Sequence, residues 1–344
     1  MAIKEMIVKV VEGRSLRETE AAAAMLDIVE GLATPSQISA FVVALRMKGE
    51  SAEEIAGLAR IMRRYAHRVE AGPDAIDIVG TGGDGGSTFN ISTVSAIVAA
   101  AAGAKVAKHG NRGVTSKCGA ADILEALGVA FDLPPDGVAE CVRQTGFGFM
   151  FAPIYHPAMR HAVVPRREIG VRTAFNLLGP ITNPAGVTSQ VTGVAVGPVA
   201  PIIAEVLRLL GSRRALVVHG SDGLDELSIS APTKVYDVAD GTVRDYDVTP
   251  ESVGLTSHAP ASIKGGTVEA NLRYAQAVLA GEPGAGRDSV LLNTAAGLVV
   301  AGLADDLKGG VTLAAQAIDS GAAREKLEQI REVSTSLKGA AVPT

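Results

Sequence analysis

The chain has 344 residues, 47% apolar and 20% charged, with aromatic residues at 3% and no tryptophan. That balance excludes a disordered chain and calls for a core of Ala, Val, Ile and Leu in one large domain or two modest ones. A net charge of −5, from 32 Lys and Arg against 37 Asp and Glu, argues against nucleic acid as a partner. The N-terminus lacks an uninterrupted apolar run of signal-peptide type, and the most apolar stretch, residues 94–104, is far short of a bilayer span, so no membrane is expected. Two cysteines, Cys118 and Cys141, cannot form a disulfide framework and suit a reducing cytoplasm.

Residues 1–72 read as helices. Capping boxes at Ser15-x-x-Glu18, Thr34-x-x-Gln37 and Ser51-x-x-Glu54 precede helix-period apolar patterns such as Ile38, Phe41, Val42, Leu45 and Ile55, Leu58, Ile61, Met62. Pro35 stands at a first helical position, and Gly72-Pro73 closes the module. The grammar then changes. A buried strand at residues 77–80, a Gly-rich loop, an Ala-rich helix at about 93–102 and a strand at 105–107 form one β-loop-α-β unit. Residues 191–196, 201–210 and 215–218 form another, which implies a largely parallel sheet covered by helices. Strands at 235–238 and 243–246, joined through Asp240-Gly241, read as an edge hairpin. From Glu269 the pattern returns to helices, including 288–303 and 322–337. The fold class expected is therefore α/β: a small helical N-terminal domain plus a larger domain, residues 73–344, with a central, mostly parallel sheet.

Chemistry concentrates in three segments. Gly80-Thr-Gly-Gly-Asp-Gly-Gly-Ser-Thr-Phe-Asn-Ile-Ser-Thr93 carries five glycines in seven positions, so that backbone N–H groups and a helix N-terminus can face an anion. A tight turn with an N-cap would look similar when seen alone. Gly80, Gly82 and Gly85 match the dinucleotide fingerprint, but the second strand runs into Lys108-His-Gly-Asn-Arg112 rather than the acidic residue which that fingerprint needs. No Gly-Lys-Ser/Thr follows, which excludes a Walker loop. Residues 108–118 form the second segment, where Lys and Arg with neutral donors suit a phosphorylated ligand. Between Asp84 and Asp122 there is no acidic residue, while Lys105, Lys108, His109, Arg112 and Lys117 fall there. A second basic cluster holds His156, Arg160, His161, Arg166, Arg167 and Arg172 against Glu168. The third segment, Asp222-Gly-Leu-Asp225-Glu226, follows a buried strand. A solvated acidic turn is its commoner reading, yet beside a polyphosphate site adjacent carboxylates suit Mg²⁺. Nothing suggests a covalent nucleophile.

Taken in order, Gly80-Thr-Gly-Gly-Asp84, Asn90-Ile-Ser-Thr93, Lys108-His-Gly-Asn-Arg112, Phe151-Ala-Pro-x-x-His156-Pro-Ala-Met159, Arg166-Arg-Glu168, Arg172-Thr173, Asn176-Leu-Leu-Gly-Pro180, Asp225-Glu226 and the Leu-Leu-Asn293-Thr-Ala-Ala stretch resemble the anthranilate phosphoribosyltransferase family, of the nucleoside phosphorylase-like phosphoribosyltransferases. The resemblance runs from the first helices to the tail. It implies Mg²⁺-dependent transfer of a phosphoribosyl group from phosphoribosyl pyrophosphate to anthranilate in tryptophan biosynthesis. The donor would be held by Gly80, Gly83, Asp84, Thr88, Asn90, Ile91, Ser92, Thr93, Lys108, His109, Gly110, Asn111, Arg112, Gly113, Val114, Thr115, Ser116 and the position of Ala120. Anthranilate would meet Gly80, Asn111, Tyr155, His156, Arg166 and Pro180. Magnesium would be held by Ser92, Asp225 and Glu226. The resemblance further implies an active site at the hinge between the domains, with helices from about 166–186 joining the small domain, and homodimers formed through the helical part. It leaves open association with a separate anthranilate synthase. Arg167 is expected to pair structurally. Ala120 departs from the Ser common in the family, and Cys118 also stands where Ser is frequent, so one donor hydrogen bond is in doubt. The rival functions are a pyrimidine nucleoside phosphorylase of the same architecture and a non-catalytic nucleic-acid-binding relative. The Asn111-Arg112 pair, the Arg166 segment and the Asp225-Glu226 pair favour the transferase.

Overall fold

The computed structural model describes residues 1–83, 85, 88–113 and 116–340. Four helices open the chain: α1 (Ala2–Val11), α2 (Glu18–Val29), α3 (Pro35–Lys48) and α4 (Ala52–Arg64). The boxes at Thr34 and Ser51 form as expected. Gln37 N donates to Thr34 Oγ1 (3.3 Å) and Thr34 N to Gln37 Oε1 (2.9 Å). Glu54 N donates to Ser51 Oγ (3.3 Å) and Ser51 N to Glu54 Oε2 (2.8 Å).

The box at Ser15 does not form. Helix α2 begins two residues later than that reading requires, with Arg17 N donating to Glu20 Oε2 at 2.8 Å. The reason is tertiary: Leu16 is buried, and its N–H donates to Glu54 Oε1 on α4 (2.9 Å), which holds the chain extended there. Glu18 turns instead to Arg60.

After the bundle the order is β1 (Ala75–Gly80), α5 (Ile91–Ala101), β2 (Lys105–Gly110), α6 (Ala120–Ala126), α7 (Pro135–Thr145), β3 (Phe147–Phe151), α8 (Ala152–Tyr155), α9 (Arg160–Ile169), α10 (Ala174–Leu178), β4 (Ser189–Gly193), α11 (Ala200–Leu209), β5 (Arg214–Gly220), β6 (Thr233–Ala239) and β7 (Thr242–Val248). Helices α12 (Val268–Leu279), α13 (Ala285–Val300), α14 (Leu307–Asp319) and α15 (Ala322–Ala340) complete the chain. The seven strands form one sheet in the order β3-β2-β1-β4-β5-β6-β7. It is parallel from β3 to β5 and antiparallel at β6 and β7, the expected edge hairpin. Asp240 and Gly241 both take positive φ, 52° and 72°, as a tight hairpin turn demands. Strand β3 was not anticipated. Its sequence, Phe-Gly-Phe-Met-Phe, is almost wholly apolar and buried on both faces, so it carries no alternation to read.

Two large cores sandwich the sheet. On one face α5, α13 and their neighbours cover β1, β4 and β5, with Ile78, Val94, Leu292 and Val218 buried among them. A Cβ at Gly297 of α13 would lie 2.6 Å from Ile78 Cδ1, so this glycine lets the helix seat closely on the strand. On the other face one continuous core runs from the bundle (Ile28, Phe41, Leu58) through Phe175 of α10 and Ile203 of α11 to Val217 of β5. Helix α9 packs on α2 and α3, and α10 on α3 and α4. The bundle is thereby seated beside the C-terminal ends of the central strands.

Candidate active site

Strand order reverses at β1, whose neighbours are β2 on one side and β4 on the other. In a parallel sheet such a switch opens a crevice outside the strand ends, where ligands bind. Here the two strands end in register on a pair of glycines, Gly80 and Gly193. The segment after β5 crosses directly over them. A Cβ at Gly80 would lie 2.2 Å from Asp225 Oδ2, and one at Gly193 only 1.5 Å from the Asp225 carbonyl oxygen. Only glycine at both ends lets Asp225 reach the Gly-rich loop, where its Oδ2 accepts from Gly82 N (2.7 Å). Glu226 turns to the start of α5, its Oε1 accepting from Ser92 N (3.2 Å), where the helix dipole favours an anion. Asp222, the third carboxylate of this segment, braces the turn by accepting from Ser228 Oγ (2.6 Å).

The carboxylate pair is secured from α13. Asn293, fully buried, accepts from Leu227 N (2.9 Å) and donates to the Leu227 carbonyl (3.0 Å). This single amide fixes both edges of the residue next to Glu226. Neither Asn293 in this role nor Gly193 was legible from the chain, since each acts on a residue far away in sequence.

The Lys108 side chain points inward. It is 1% exposed and runs under the N-terminus of α5, donating to the Ile78 carbonyl and to Ser92 Oγ (3.2 Å). Burial lowers its pKa, against the opposing pull of Asp77, Glu226 and Asp225. Asp77 lies within β1, fully buried, and burial pushes its carboxyl up to about 6. It accepts from Asn183 Nδ2 (2.7 Å) and from His109 N (3.3 Å). The sequence reading missed this network, for which a lone acid in the apolar run Ala-Ile-Asp-Ile-Val is the available signal.

The other proposed donor contacts divide into groups. Thr88 bridges to Lys264 in a short antiparallel pairing. Asn90 Nδ2 donates to the Cys118 carbonyl (3.1 Å), and the Cys118 thiol to Asn90 Oδ1 (3.2 Å), which ties the start of α5 to the second loop. The loop itself is organised by Asp122, whose Oδ2 accepts from Gly113 N (2.9 Å) and Gly119 N (2.8 Å). Arg112 is already engaged: it pairs with Asp122 (2.6 Å) and Glu125 (2.8 Å) and lies over the Phe131 ring. Ser116 Oγ donates to the Cys118 carbonyl (3.3 Å), and the Asn111 carbonyl accepts from Ala121 N (3.2 Å). Gly110 lies against Phe149 and Ala120. Ile91 and Thr93 turn inward and are buried. Gly83 lies under Arg172. Asp84, Val114 and Thr115 lie outside the described residues.

Of the residues about the proposed acceptor side, two histidines lie by the turn at Gly179-Pro180. His109 Nδ1 lies 3.1 Å from the Gly179 carbonyl, an arrangement that puts the proton on Nδ1 and leaves Nε2 as an acceptor. The His109 and His156 rings are 5.0 Å apart, and the Nε2 atom of each is buried without a hydrogen-bond partner among the described residues. Burial holds His109 down to about 3 and His156 down to about 4. Arg166, in the last turn of α9, stacks over Phe175 at 5.7 Å, and its pKa is lowered by desolvation. Among the described residues no ion pair engages Arg166 or Arg167, so the structural pairing expected of Arg167 is not found. Tyr155 is fully buried in a separate core cluster, its hydroxyl donating to the Leu133 carbonyl (2.7 Å), rather than lining this turn.

The buried imidazoles have a consequence for stability. Each has a folded pKa below the ordinary 6.5, so the unfolded chain binds more protons in the acid range. Their stabilisation is present above pH 6.5 and is lost as pH falls toward 3 to 4, by about 1 kcal/mol per histidine for each unit. Urea unfolding of the wild type and of His156→Asn between pH 7 and 4 should therefore give slopes differing by about one proton. Equal slopes would count against a neutral, buried His156.

The comparisons with known proteins agree with this geometry. Residues 4–66 match the model of a glycosyl transferase family's helical bundle domain, and residues 72–324 that of the same family's α/β domain. The class is thus a glycosyl transferase with a helical bundle domain and an α/β domain. The chain is 54% identical to anthranilate phosphoribosyltransferase of Moorella thermoacetica, over 95% of this chain and 96% of that one, and 51% identical to that of Symbiobacterium thermophilum, over 98% and 99%. Its structure superposes on the Thermus thermophilus enzyme with a TM-score of 0.90 at 44% identity, covering 96% of this chain and 99% of that one. It superposes on the Saccharomyces cerevisiae enzyme, solved in complex with PRPP and Mg, with a TM-score of 0.88 at 31% identity, covering 97% and 98%. The chain belongs to the anthranilate phosphoribosyltransferase family.

Proposed function

We propose that this protein transfers the 5-phosphoribosyl group of phosphoribosyl pyrophosphate to the amine of anthranilate, releasing pyrophosphate, as a step of tryptophan biosynthesis. The observation that carries the reading is the switch point itself: paired glycines crossed by Asp225, Glu226 at a helix N-terminus, and a buried ammonium beneath them. Beside this charged site stands a buried turn with two neutral imidazoles, suited to a small aromatic acceptor.

The donor set fits Mg²⁺. Ser92 Oγ, Asp225 and Glu226 offer only oxygen, and Gly82 N and Ser92 N hold the two carboxylates in place. Among the described residues no group of three or more His, Cys, Asp and Glu side chains converges as a metal cage. That matches an ion held by two carboxylates and completed by water and substrate phosphates. Bound there, Mg²⁺ supplies positive charge against the departing pyrophosphate.

The chain's own groups then do the positioning. The Gly-rich loop and the start of α5 present N–H groups to the donor, through Gly80, Gly83, Thr88 and Asn90. Lys108 contributes charge from below rather than a direct contact. Arg166 holds the anthranilate carboxylate, while Asn111, Gly80, His156 and Pro180 border the ring. An aryl amine is neutral at pH 7, so the new C–N bond forms as the C1–O bond breaks, and the amine proton passes to water. A pKa near 3 makes His109 a poor base. Catalysis is alignment and electrostatics.

We divide the chain at residue 72 and join the helices at about 166–186 to the small domain, a division supported by the packing of α10 on α3 and α4. We further propose a homodimer through the helical part. Val8 and Val11 of α1 and Val163 and Val164 of α9 are exposed apolar residues on helices that both pack against α3. A cytoplasmic location suits Cys118 and Cys141, both free and buried.

The test is the loss of anthranilate fluorescence on adding phosphoribosyl pyrophosphate. Loss is expected with Mg²⁺ and should stop in EDTA. No loss with both substrates and Mg²⁺ present would refute the activity.

A further inference from the structure

The Gly-rich loop has a weak point where it leaves β1. Thr81 is anchored at the end of the neighbouring strand: its N–H donates to the Gly193 carbonyl (2.9 Å), and its Oγ1 accepts from Ala195 N (3.3 Å). The next two residues, Gly82 and Gly83, have φ of 63° and 93°. Two successive glycines in the left-handed region make a peptide easy to rotate. Something outside the loop must hold the Thr81–Gly82 peptide.

Two charged side chains grip that one peptide from opposite edges. Asp225 Oδ2 accepts from its N–H at 2.7 Å, and Arg172 Nη2 donates to its carbonyl, Thr81 O, at 3.3 Å. An anion at the N–H and a cation at the C=O match the peptide dipole at both ends, and hydrogen bonds to charged groups are the stronger kind. The guanidinium also lies against Gly83, where a Cβ would come within 1.9 Å of Nη1. Any other residue there would push Arg172 away.

Arg172 is itself held firmly. It follows Gly170, whose φ of 68° closes α9, and precedes Thr173, which caps α10 by donating its N–H to Asn176 Oδ1 (2.9 Å). Helices α9 and α10 pack on the N-terminal bundle. Asp225 hangs from the sheet. The peptide is therefore clamped between the bundle and the sheet.

We infer that Arg172 is a positioning residue, which sets the Thr81–Gly82 peptide from the bundle side so that Asp225 and the Gly-rich loop meet the phosphorylated donor in register. This rests on the phosphoribosyl-transfer reading. It gives Arg172 no contact with either substrate.

The experiment compares Arg172→Ala, Arg172→Gln and Arg172→Lys. In the substrate-free protein, hydrogen exchange of a peptide covering residues 80–90 should quicken in Arg172→Ala while the rest of the chain and the Tm stay unchanged. In turnover, Arg172→Ala should raise the donor KM and the Mg²⁺ concentration for half-maximal rate by about tenfold each, with the anthranilate KM within about twofold of wild type. Arg172→Gln, a neutral donor, should restore part of both losses, because it keeps an N–H for the carbonyl and gives up only the added strength of the charge. Restoration by Arg172→Lys but not by Arg172→Gln would overturn the inference in favour of a direct contact with an anion. Unchanged exchange in Arg172→Ala would overturn it outright. If wild type shows no transfer but the exchange effect appears, the clamp stands and the proposed activity falls.

Discussion

Alanine at both Asp225 and Glu226 is expected to lower kcat/KM by about a thousandfold or more. Both carboxylates lie at the one place where a cation, the Gly-rich loop and the start of α5 come together, through Gly82 N and Ser92 N. Their removal would take away the proposed oxygen ligands of the metal and also leaves Lys108, buried beneath, with Asp77 as its remaining facing carboxylate. An uncompensated buried charge destabilises a fold by about 3–5 kcal/mol, so loss of activity alone is ambiguous. Asp225→Asn with Glu226→Gln separates the two effects. The amide oxygens still accept from Gly82 N and Ser92 N, while the negative charge is gone. That variant loses the same charge beside Lys108 but keeps both backbone acceptors, so it should melt above the double alanine variant and still show no rise in turnover as Mg²⁺ is titrated. Full turnover by the double alanine variant in EDTA would sink the metal assignment.

Arg166→Ala is expected to raise the anthranilate KM by one to two orders of magnitude, from the loss of about 1.5–3 kcal/mol in a charged hydrogen bond. Anthranilate is a planar carboxylate, and a guanidinium can hold it through two parallel N–H bonds. Arg166 stacks over Phe175, and among the described residues no ion pair engages it. The donor KM should barely move. Steady-state kinetics with each substrate varied in turn decides the matter. A rise in donor KM with the anthranilate KM unmoved would place Arg166 at the phosphates and reverse the assignment of the two sites.

The sequence by itself determined whatever depends on near neighbours in the chain. Thr34 with Gln37 and Ser51 with Glu54 start their helices because each box closes within four residues. The Asp240-Gly241 turn and the Gly-rich loop were readable for the same reason, since positive φ is a property of the residue that adopts it. The order of motifs sufficed for the family. What the tertiary structure alone decided involves partners distant in sequence. Ser15 caps nothing because Glu54, 38 residues on from Leu16, takes the Leu16 N–H. Lys108 looked like a phosphate ligand on a basic loop, but the short distance from β2 to the Ile78 carbonyl and Ser92 turns it inward. Gly193 carries no local signature, and although Asn293 and Arg172 stand in the family's motifs, nothing local shows the roles they take. Each works by close approach to a segment that only the folded sheet brings near, and packing of that kind depends on three-dimensional proximity, which periodicity and spacing do not encode.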